Sequence, residues 1–137
     1  MEHVSDPFAC AREMVRVLKP GGHIYAHVPF LQPEHGYPHH FYNMTREGLR
    51  NLFPDLKVVS HEVPDSGLPI FGLHWLVSRY AESLTGAARE SFLGMTMGEL
   101  IGRKADGWNG EEIVREMREA GKWEMACTTA LLVSKPA

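Results

Sequence analysis

The stretch RVLKPGGHIYAHVPF, residues 16–30, most constrains how this chain can fold. It joins the end of an amphipathic pattern to an alternating apolar segment through Pro20, Gly21 and Gly22. Proline cannot continue a helix and glycine tolerates left-handed turn geometry, so the chain is expected to reverse here. A helix, a short turn and a strand make half of a parallel crossover unit, which needs a neighbouring strand before the helix. Only five residues precede the predicted helix cap, so that strand is expected to be missing or reduced to residues 1–4.

The overall composition is that of one folded domain. The chain has 137 residues, of which 44% are hydrophobic, and this is enough for a real core. Its formal charge is -3 and its pI is near 6.2, with acidic and basic residues scattered rather than clustered. Because this distribution gives no electrostatic footprint for nucleic acid, nucleic acid is excluded as a partner.

Targeting and redox features favour the cytoplasm. The sequence does not open on a basic segment followed by an apolar run, so no secretion signal is expected. The most apolar stretch, residues 68–77, is far shorter than the ~20 residues of a spanning helix, so no membrane association is expected. Cys10 and Cys127 have no CxxC or Cys/His spacing, which favours reduced thiols over a disulfide or a zinc site. A cytoplasmic protein is therefore predicted.

Local signals near the start of the chain predict a helix and then a strand. Asp6 followed by Pro7 has the form of an N-cap and a first helical residue, and apolar residues recur on one face as far as Leu18. Residues 23–30 alternate in the manner of a half-buried strand. Its two faces would be Ile24, Ala26 and Val28 on one side, and Tyr25 and His27 on the other.

A short helix and two further strands are predicted farther along. Thr45 is placed to cap the helix, and Pro54 stops it. Residues 56–63 and 126–136 have strand patterns. These two segments would pair as an antiparallel edge, which is common on an otherwise parallel sheet.

The middle of the chain, residues 64–122, is predicted to be a helical insertion that caps one end of the sheet. Apolar spacing marks one helix over residues 70–84, and residues 90–102 form a second. A third helix, residues 109–121, begins with capping-box spacing and is expected to end at its glycine.

The histidine loop, PEHGYPHHFYN at residues 33–43, is the densest polar and aromatic cluster in the sequence. It follows a predicted parallel strand, and open α/β sheets bind ligands at the carboxyl ends of their strands, so contact with a substrate is predicted. Metal binding by Glu34, His35, His39 and His40 is an alternative, but a glycine and two prolines leave the ring directions undetermined and no HExxH helix fixes them. A loop whose aromatic side chains only pack is the remaining alternative.

Glu2 and His3 are a second candidate pair. They would lie at the carboxyl end of the preceding strand and could face the same crevice as the histidine loop. A plain surface position is the alternative, because residues close to a terminus are often frayed. The sequence gives no support for nucleophilic catalysis. Ser60, Thr128 and the cysteines have no histidine or aspartate at a spacing that would mark a nucleophile with its base.

The sequence EHVSDPFACAREMVRVLKPGGHIYAHVPF, residues 2–30, closely resembles class I S-adenosylmethionine-dependent methyltransferases from the end of their fourth strand through the fifth. The positions in register are Glu2, His3, Asp6, Pro7, Glu13, Arg16, Val17, Leu18, Lys19, Pro20, Gly21 and Gly22. Residues 29–53 are similar to a branch of the family that often has Asp and Arg where this chain has His40 and Asn43. ALLVSKP, residues 130–136, is similar to the family's closing strand.

The resemblance implies an α/β fold, namely a partial Rossmann-like methyltransferase sheet with parallel central strands, an antiparallel terminal pair and the helical insertion. Residues 1–137 would be a single domain that corresponds to the carboxyl-terminal part of the family fold. In the family, a Gly-rich turn and an acidic residue after the first two strands grip the donor, and no GxGxG occurs in these 137 residues. The chain is therefore expected to be a truncated member of the family.

The implied activity is methyl transfer from S-adenosylmethionine to a small-molecule or glycan-like acceptor. Holding the donor and the nucleophile in line would supply most of the catalysis, and a histidine base would assist a hydroxyl acceptor. The catalytic candidates are His3, His35 and His39, and the cofactor-binding candidates are Glu2, His3 and Val4. The substrate-binding candidates are Pro29, Phe30, His35, Tyr37, His39, His40 and Tyr42, and no metal ligand is assigned.

A catalytically silent fragment is the alternative from a different class. An unpaired strand is a template for association, so such a chain would act as an interaction module and form a homodimer through its exposed sheet edge. A metal-binding module at the histidine loop is a third hypothesis, in which zinc or nickel stabilises the chain and substitution of His39 and His40 abolishes the effect.

Overall fold

A computed structural model describes residues 1–108, 110–128 and 130–131 of the chain. Seven α-helices lie in these residues, together with two short 3-10 helices, Asp65–Gly67 and Ala105–Trp108. The helices are α1 Pro7–Val17, α2 Arg46–Asn51, α3 Pro69–Glu82, α4 Gly86–Gly94, α5 Met97–Gly102, α6 Glu112–Arg115 and α7 Glu119–Glu124. Within the described part of the chain, none of them combines the length and the hydrophobicity needed to cross a membrane.

The chain divides into two compact units, Met1–Trp75 and Leu76–Ala137, and the boundary falls inside α3. Unit 1 contains α1, the histidine loop and α2. Unit 2 contains α4 to α7 and an apolar core to which α4 contributes Ala88 and α6 contributes Ile113.

Two helices of unit 1 begin at the predicted residues because side chains cap their first amides. The Asp6 carboxylate accepts a hydrogen bond from the Ala9 backbone N–H at 2.8 Å, and α1 follows with proline at its first position. The Thr45 hydroxyl accepts one from the Gly48 N–H at 3.0 Å, and α2 follows. After α1 the chain turns at Gly21, whose φ of 76° is in the left-handed region that glycine tolerates. These local predictions are confirmed.

The predicted Rossmann-like sheet is wrong, because the described residues contain no β-strand. Residues 23–30 and 56–63, both predicted as strands, have no regular secondary structure. A strand persists only when its backbone N–H and C=O groups pair with a neighbour. Residues 23–28 make no backbone hydrogen bond to any described residue. They therefore do not form a parallel ladder with any described segment.

The third predicted strand, residues 126–136, is described only in part. Residues 126–128 and 130–131 are irregular, and the antiparallel pair with residues 56–63 is therefore wrong for these positions. The remainder of the segment, Thr129 and residues 132–136, lies outside the described residues.

Side-chain burial nevertheless alternates along residues 23–28 as the sequence pattern predicts. The half-buried residues are Ile24, Ala26 and Val28, and the exposed ones are His23, Tyr25 and His27. Period-two hydrophobicity thus predicted which side chains face the protein, but it carried no information on backbone pairing.

The helices of unit 2 differ from the predicted ones at their ends. The helix predicted over residues 90–102 is interrupted, because α4 stops at Gly94 and Thr96 caps α5. The Thr96 hydroxyl accepts from the Glu99 N–H at 3.2 Å, and the Glu99 carboxylate accepts from the Thr96 N–H at 2.7 Å. This is a reciprocal capping box, and its Thr-x-x-Glu spacing is visible in the sequence.

The helix predicted over residues 109–121 is divided into α6 and α7. The backbone N–H of Arg118 donates to the Ser83 carbonyl at 3.0 Å, which fixes the break between them. Gly121 does not end a helix, since it lies inside α7 and is buried. A β-carbon there would come within 2.6 Å of the Ser83 Cβ, so glycine is needed for close packing. Asn109, the predicted cap, lies outside the described residues.

Leu84, Ala88 and Ile113 form the buried centre of unit 2. The phenol of Tyr80 donates a hydrogen bond to the Ile113 carbonyl at 3.0 Å, and burial raises the pKa of Tyr80. Beside this core is an open apolar cavity of about 300 Å³. Its lining residues are Val77, Tyr80, Phe92, Leu100, Trp108, Ile113 and Val114.

A bidentate ion pair links two helices that contribute to unit 2. Arg79 Nε and Nη2 donate to the two carboxylate oxygens of Glu124 at 2.6 and 2.8 Å. Glu124 has only 9% of its side chain exposed, while Arg79 has 40%. Hydrogen bonding to Glu124 is the main reason that the pKa of Arg79 is raised, and burial opposes it.

Candidate functional site

Backbone hydrogen bonds hold the histidine loop against the residues that precede α1. The N–H groups of Phe41 and Tyr42 donate to the Glu2 carbonyl at 2.7 and 3.4 Å. The Tyr42 hydroxyl also donates to the Ser5 carbonyl at 3.1 Å. The sequence-predicted cofactor-binding residues and the predicted substrate-binding loop therefore lie together within unit 1.

His40 organises the interior of the loop. Its Nδ1 accepts a hydrogen bond from the His35 backbone N–H at 2.9 Å, so the ring proton must be on Nε2 when the imidazole is neutral. That Nε2 donates to the Asn43 side-chain oxygen at 2.9 Å, and the Asn43 amide nitrogen donates to the Gln32 carbonyl at 2.9 Å. Because both of its nitrogens are used inside the loop, His40 positions the loop and has no lone pair to offer a ligand.

His3 and His35 have the opposite tautomer. His3 Nδ1 lies 2.6 Å from the His39 carbonyl oxygen, and His35 Nδ1 lies 2.9 Å from the oxygen of the fully buried Pro33. A carbonyl oxygen only accepts, so each Nδ1 carries the proton and each Nε2 keeps its lone pair. These two imidazoles are therefore fixed by the backbone with their Nε2 atoms available.

The Glu2 carboxylate lies beside the His3 and His35 imidazoles. Its Oε1 lies 3.6 Å from His3 Nε2, and its Oε2 accepts a hydrogen bond from the Met1 amino group at 3.1 Å. Burial alone would raise the pKa of Glu2, but its own backbone N–H, the Met1 ammonium group and His3 together outweigh burial and lower that pKa. Glu2 is therefore an anion at neutral pH.

Glu2, His3 and His35 can each direct one ligand atom to a common point. The three ligand atoms all lie within 4.8 Å of one another, and in the described residues no other group of histidine, cysteine or carboxylate side chains converges in this way. The set offered from the sequence, Glu34 with the loop histidines, shares only His35 with it.

Gly36 lies against His3 and Trp75 lies beside His35, and neither was predicted as a site residue. Gly36 has a φ of 67°, and a β-carbon there would come within 2.5 Å of His3 Cε1. The Trp75 ring, on α3, lies 5.3 Å from the His35 ring. The lone glycine inside a histidine-rich loop was the one signal in the sequence for a close backbone approach.

The remaining predicted site residues differ in their exposure and contacts. His39 contributes its carbonyl rather than its ring, because the ring stacks on Phe41 with centroids 5.7 Å apart. Val4 is half-buried and Pro29 is buried, while Phe30 and Tyr37 are 54% and 64% exposed. The ring of His39 is therefore not brought into the cluster.

Comparisons of the chain with protein-family models, with curated proteins and with solved structures found no match.

Proposed function

We propose that residues 2–4 and 29–42 form part of a site for methyl transfer from S-adenosylmethionine to a small-molecule or glycan-like acceptor, with residues 2–4 on the donor side and residues 29–42 on the acceptor side. The proposal rests on the resemblance of residues 2–30 to class I methyltransferases. One structural observation supports it. The Glu2 carbonyl, on a residue implied to contact the donor, accepts a hydrogen bond of 3.4 Å from the N–H of Tyr42, a residue implied to contact the acceptor.

His3 is the proposed base for a hydroxyl acceptor. Its Nδ1 proton is held by the His39 carbonyl, so its Nε2 lone pair is the one that can accept a proton. In the reaction, the methyl carbon passes from the sulfonium sulfur to the acceptor oxygen as the S–C bond breaks and the O–C bond forms. The hydroxyl proton goes to His3 Nε2, and the sulfur becomes a neutral thioether.

Glu2 is the proposed partner of that base. An imidazolium at His3 would lie beside the Glu2 carboxylate, whose Oε1 is 3.6 Å from Nε2. A negative charge at this distance attracts the positive charge that the ring gains when it accepts the proton. The Gly-rich turn that grips the donor in the family has no counterpart in this sequence, so the proposed donor contacts are limited to residues 2–4.

The decisive experiment is a titration of the full chain, labelled with nitrogen-15, with S-adenosylmethionine while amide shifts are recorded by NMR. We expect millimolar binding, with shifts concentrated at Glu2, His3 and Val4, and a matched titration with ATP should leave these amides unchanged. A His61→Ala variant, altered at an exposed histidine outside the site, should behave as the parent protein does. Absence of shifts at Glu2 to Val4, or equal shifts with ATP, would overturn the proposal in favour of an interaction module.

A further inference from the structure

The cluster of Glu2, His3 and His35 has the donor chemistry of a metal centre. It offers two neutral imidazole nitrogens and one carboxylate, and the three atoms lie within 4.8 Å of one another. Imidazole with carboxylate suits zinc, iron(II), cobalt and nickel, whereas magnesium and calcium prefer oxygen ligands throughout. Two histidines and one carboxylate are a recurring ligand set for ions that keep a position open for water or substrate.

The outer hydrogen bonds of both imidazoles are those of metal ligands. A histidine bound to a metal through Nε2 almost always donates its Nδ1 proton to a carboxylate, a carbonyl or water, which fixes the tautomer and the ring direction. His3 does so to the His39 carbonyl at 2.6 Å, and His35 does so to the Pro33 carbonyl at 2.9 Å. His40, whose Nδ1 accepts instead of donating, is excluded by the same criterion.

The carboxylate is available on the side that faces the imidazoles. Glu2 Oε2 is engaged by the Met1 amino group, and Oε1 lies 3.6 Å from His3 Nε2. Ligand atoms around a tetrahedral zinc ion are separated by about 3.3 Å, given zinc–nitrogen and zinc–oxygen bonds of about 2.0 to 2.1 Å. The present separations extend to 4.8 Å, so the ligand atoms must move closer together when a metal ion binds.

We propose that Glu2, His3 and His35 form a binding site for one divalent transition-metal ion, with an open coordination position. The site does not depend on methyl transfer, because it is defined by ligand chemistry and is tested without a methyl donor. A metal at this point would occupy the His3 lone pair that the proposed base uses, so the two roles of His3 are exclusive at any moment.

The test is calorimetric titration of the full chain with zinc chloride, followed by cobalt(II) absorption to report the coordination number. We expect one strong site per chain, cobalt bands of a four- or five-coordinate ion, and thermal stabilisation that grows with the logarithm of metal concentration. Glu2→Gln and His35→Ala should each weaken zinc binding by at least about tenfold, since each removes one of three protein ligands.

Controls separate this site from adventitious binding at other histidines. His61→Ala and His74→Ala change histidines outside the cluster and should leave the affinity within about twofold of the parent value. Circular dichroism of each variant establishes that the helices persist, and Glu2→Gln preserves side-chain size if His35→Ala does not fold. Equal affinity in the parent and both ligand variants, or loss of the strong site in a control variant, would overturn the proposal. Either result leaves the methyl-transfer proposal standing, because donor binding is measured separately.

Discussion

The imidazole of His3 lies directly over the backbone of Gly36, so closely that a β-carbon at Gly36 would be 2.5 Å from His3 Cε1. This approach holds the exposed His3 ring in the orientation in which its Nε2 faces Glu2. Real Cβ atoms essentially never come this close to another heavy atom, so any other residue at position 36 must move the ring.

Gly36→Ala is expected to displace His3 and to lower stability. The left-handed φ of 67° costs an alanine about 1 to 2 kcal/mol, and the contact with the His3 ring adds to that cost. Gly21→Ala is the matched control, because Gly21 has a φ of 76° but no heavy atom within 4 Å of the position that a β-carbon would take. Chemical denaturation should show a larger loss for Gly36→Ala, and only that variant should shift the His3 ring protons in NMR. Identical behaviour of the two variants would contradict the close contact.

The Arg79–Glu124 pair is expected to stabilise the protein by about 1 kcal/mol of coupling free energy in a double-mutant cycle with Arg79→Met and Glu124→Gln. Its bidentate geometry and the 9% exposure of Glu124 favour a measurable value, while the 40% exposure of Arg79 lets solvent screen the charges. A second double-mutant cycle, with Arg79→Met and Glu82→Gln, serves as the comparison. Glu82 is 55% exposed and should couple to Arg79 more weakly. Equal coupling in both cycles would show that burial of Glu124 has no energetic effect.

Gly121→Ala is expected to destabilise the chain by about 1 to 3 kcal/mol, although alanine is the better helix former. The new methyl group would lie 2.2 Å from Ser83 Oγ and 2.6 Å from Ser83 Cβ. Adding Ser83→Gly should restore part of the loss, whereas Ser83→Ala, which keeps the β-carbon, should restore less. Gly98→Ala, in α5 with its nearest atom 3.8 Å away, should instead raise thermal stability slightly. A neutral Gly121→Ala would contradict the close packing of α7 on Ser83.

Acidification is expected to loosen the start of α5. The pKa of Glu99 is lowered from its usual 4.5 chiefly by the hydrogen bond from the Thr96 backbone N–H, then by the Thr96 hydroxyl. A carboxyl whose pKa is lowered on folding contributes stability above its unfolded pKa and loses it as the pH falls through the folded value. NMR should therefore report loss of the Thr96–Glu99 contact below pH 4.5, and Glu99→Gln, which keeps the capping geometry, should remove this pH dependence. A contact that persists unchanged through the titration would contradict the assignment.

The parts of the fold predicted from the sequence are those fixed by neighbouring residues. Asp6 and Thr45 cap helices through amides three residues away, and the apolar spacing that marks α3 depends on one helix face. The predicted strands failed because a strand needs partners that are distant in sequence, and residues 23–28 have none among the described residues. The break between α6 and α7 was missed for a similar reason, since the Ser83 carbonyl that fixes it lies outside those helices.

The three residues that converge at the candidate site were all named from the sequence, where they were not grouped as one set of ligands. His3 and His35 were both named, and Glu2 was named as a cofactor contact. The tautomers could not be distinguished from sequence, because they depend on the carbonyls of His39 and Pro33 and on the N–H of His35. The convergence of Glu2 with His35 likewise depends on how the loop returns to the residues before α1.

The unpaired backbone of residues 23–28 has a consequence for the integrity of the chain. A protease binds its substrate as an extended segment and forms hydrogen bonds with its backbone amides. Paired strands resist cleavage because their amides are already hydrogen-bonded to a neighbouring strand. Here the amides have no backbone partner among the described residues, and Tyr25 is 80% exposed. Chymotrypsin at low dose is therefore expected to cut first after Tyr25, separating α1 from the histidine loop before either is digested further.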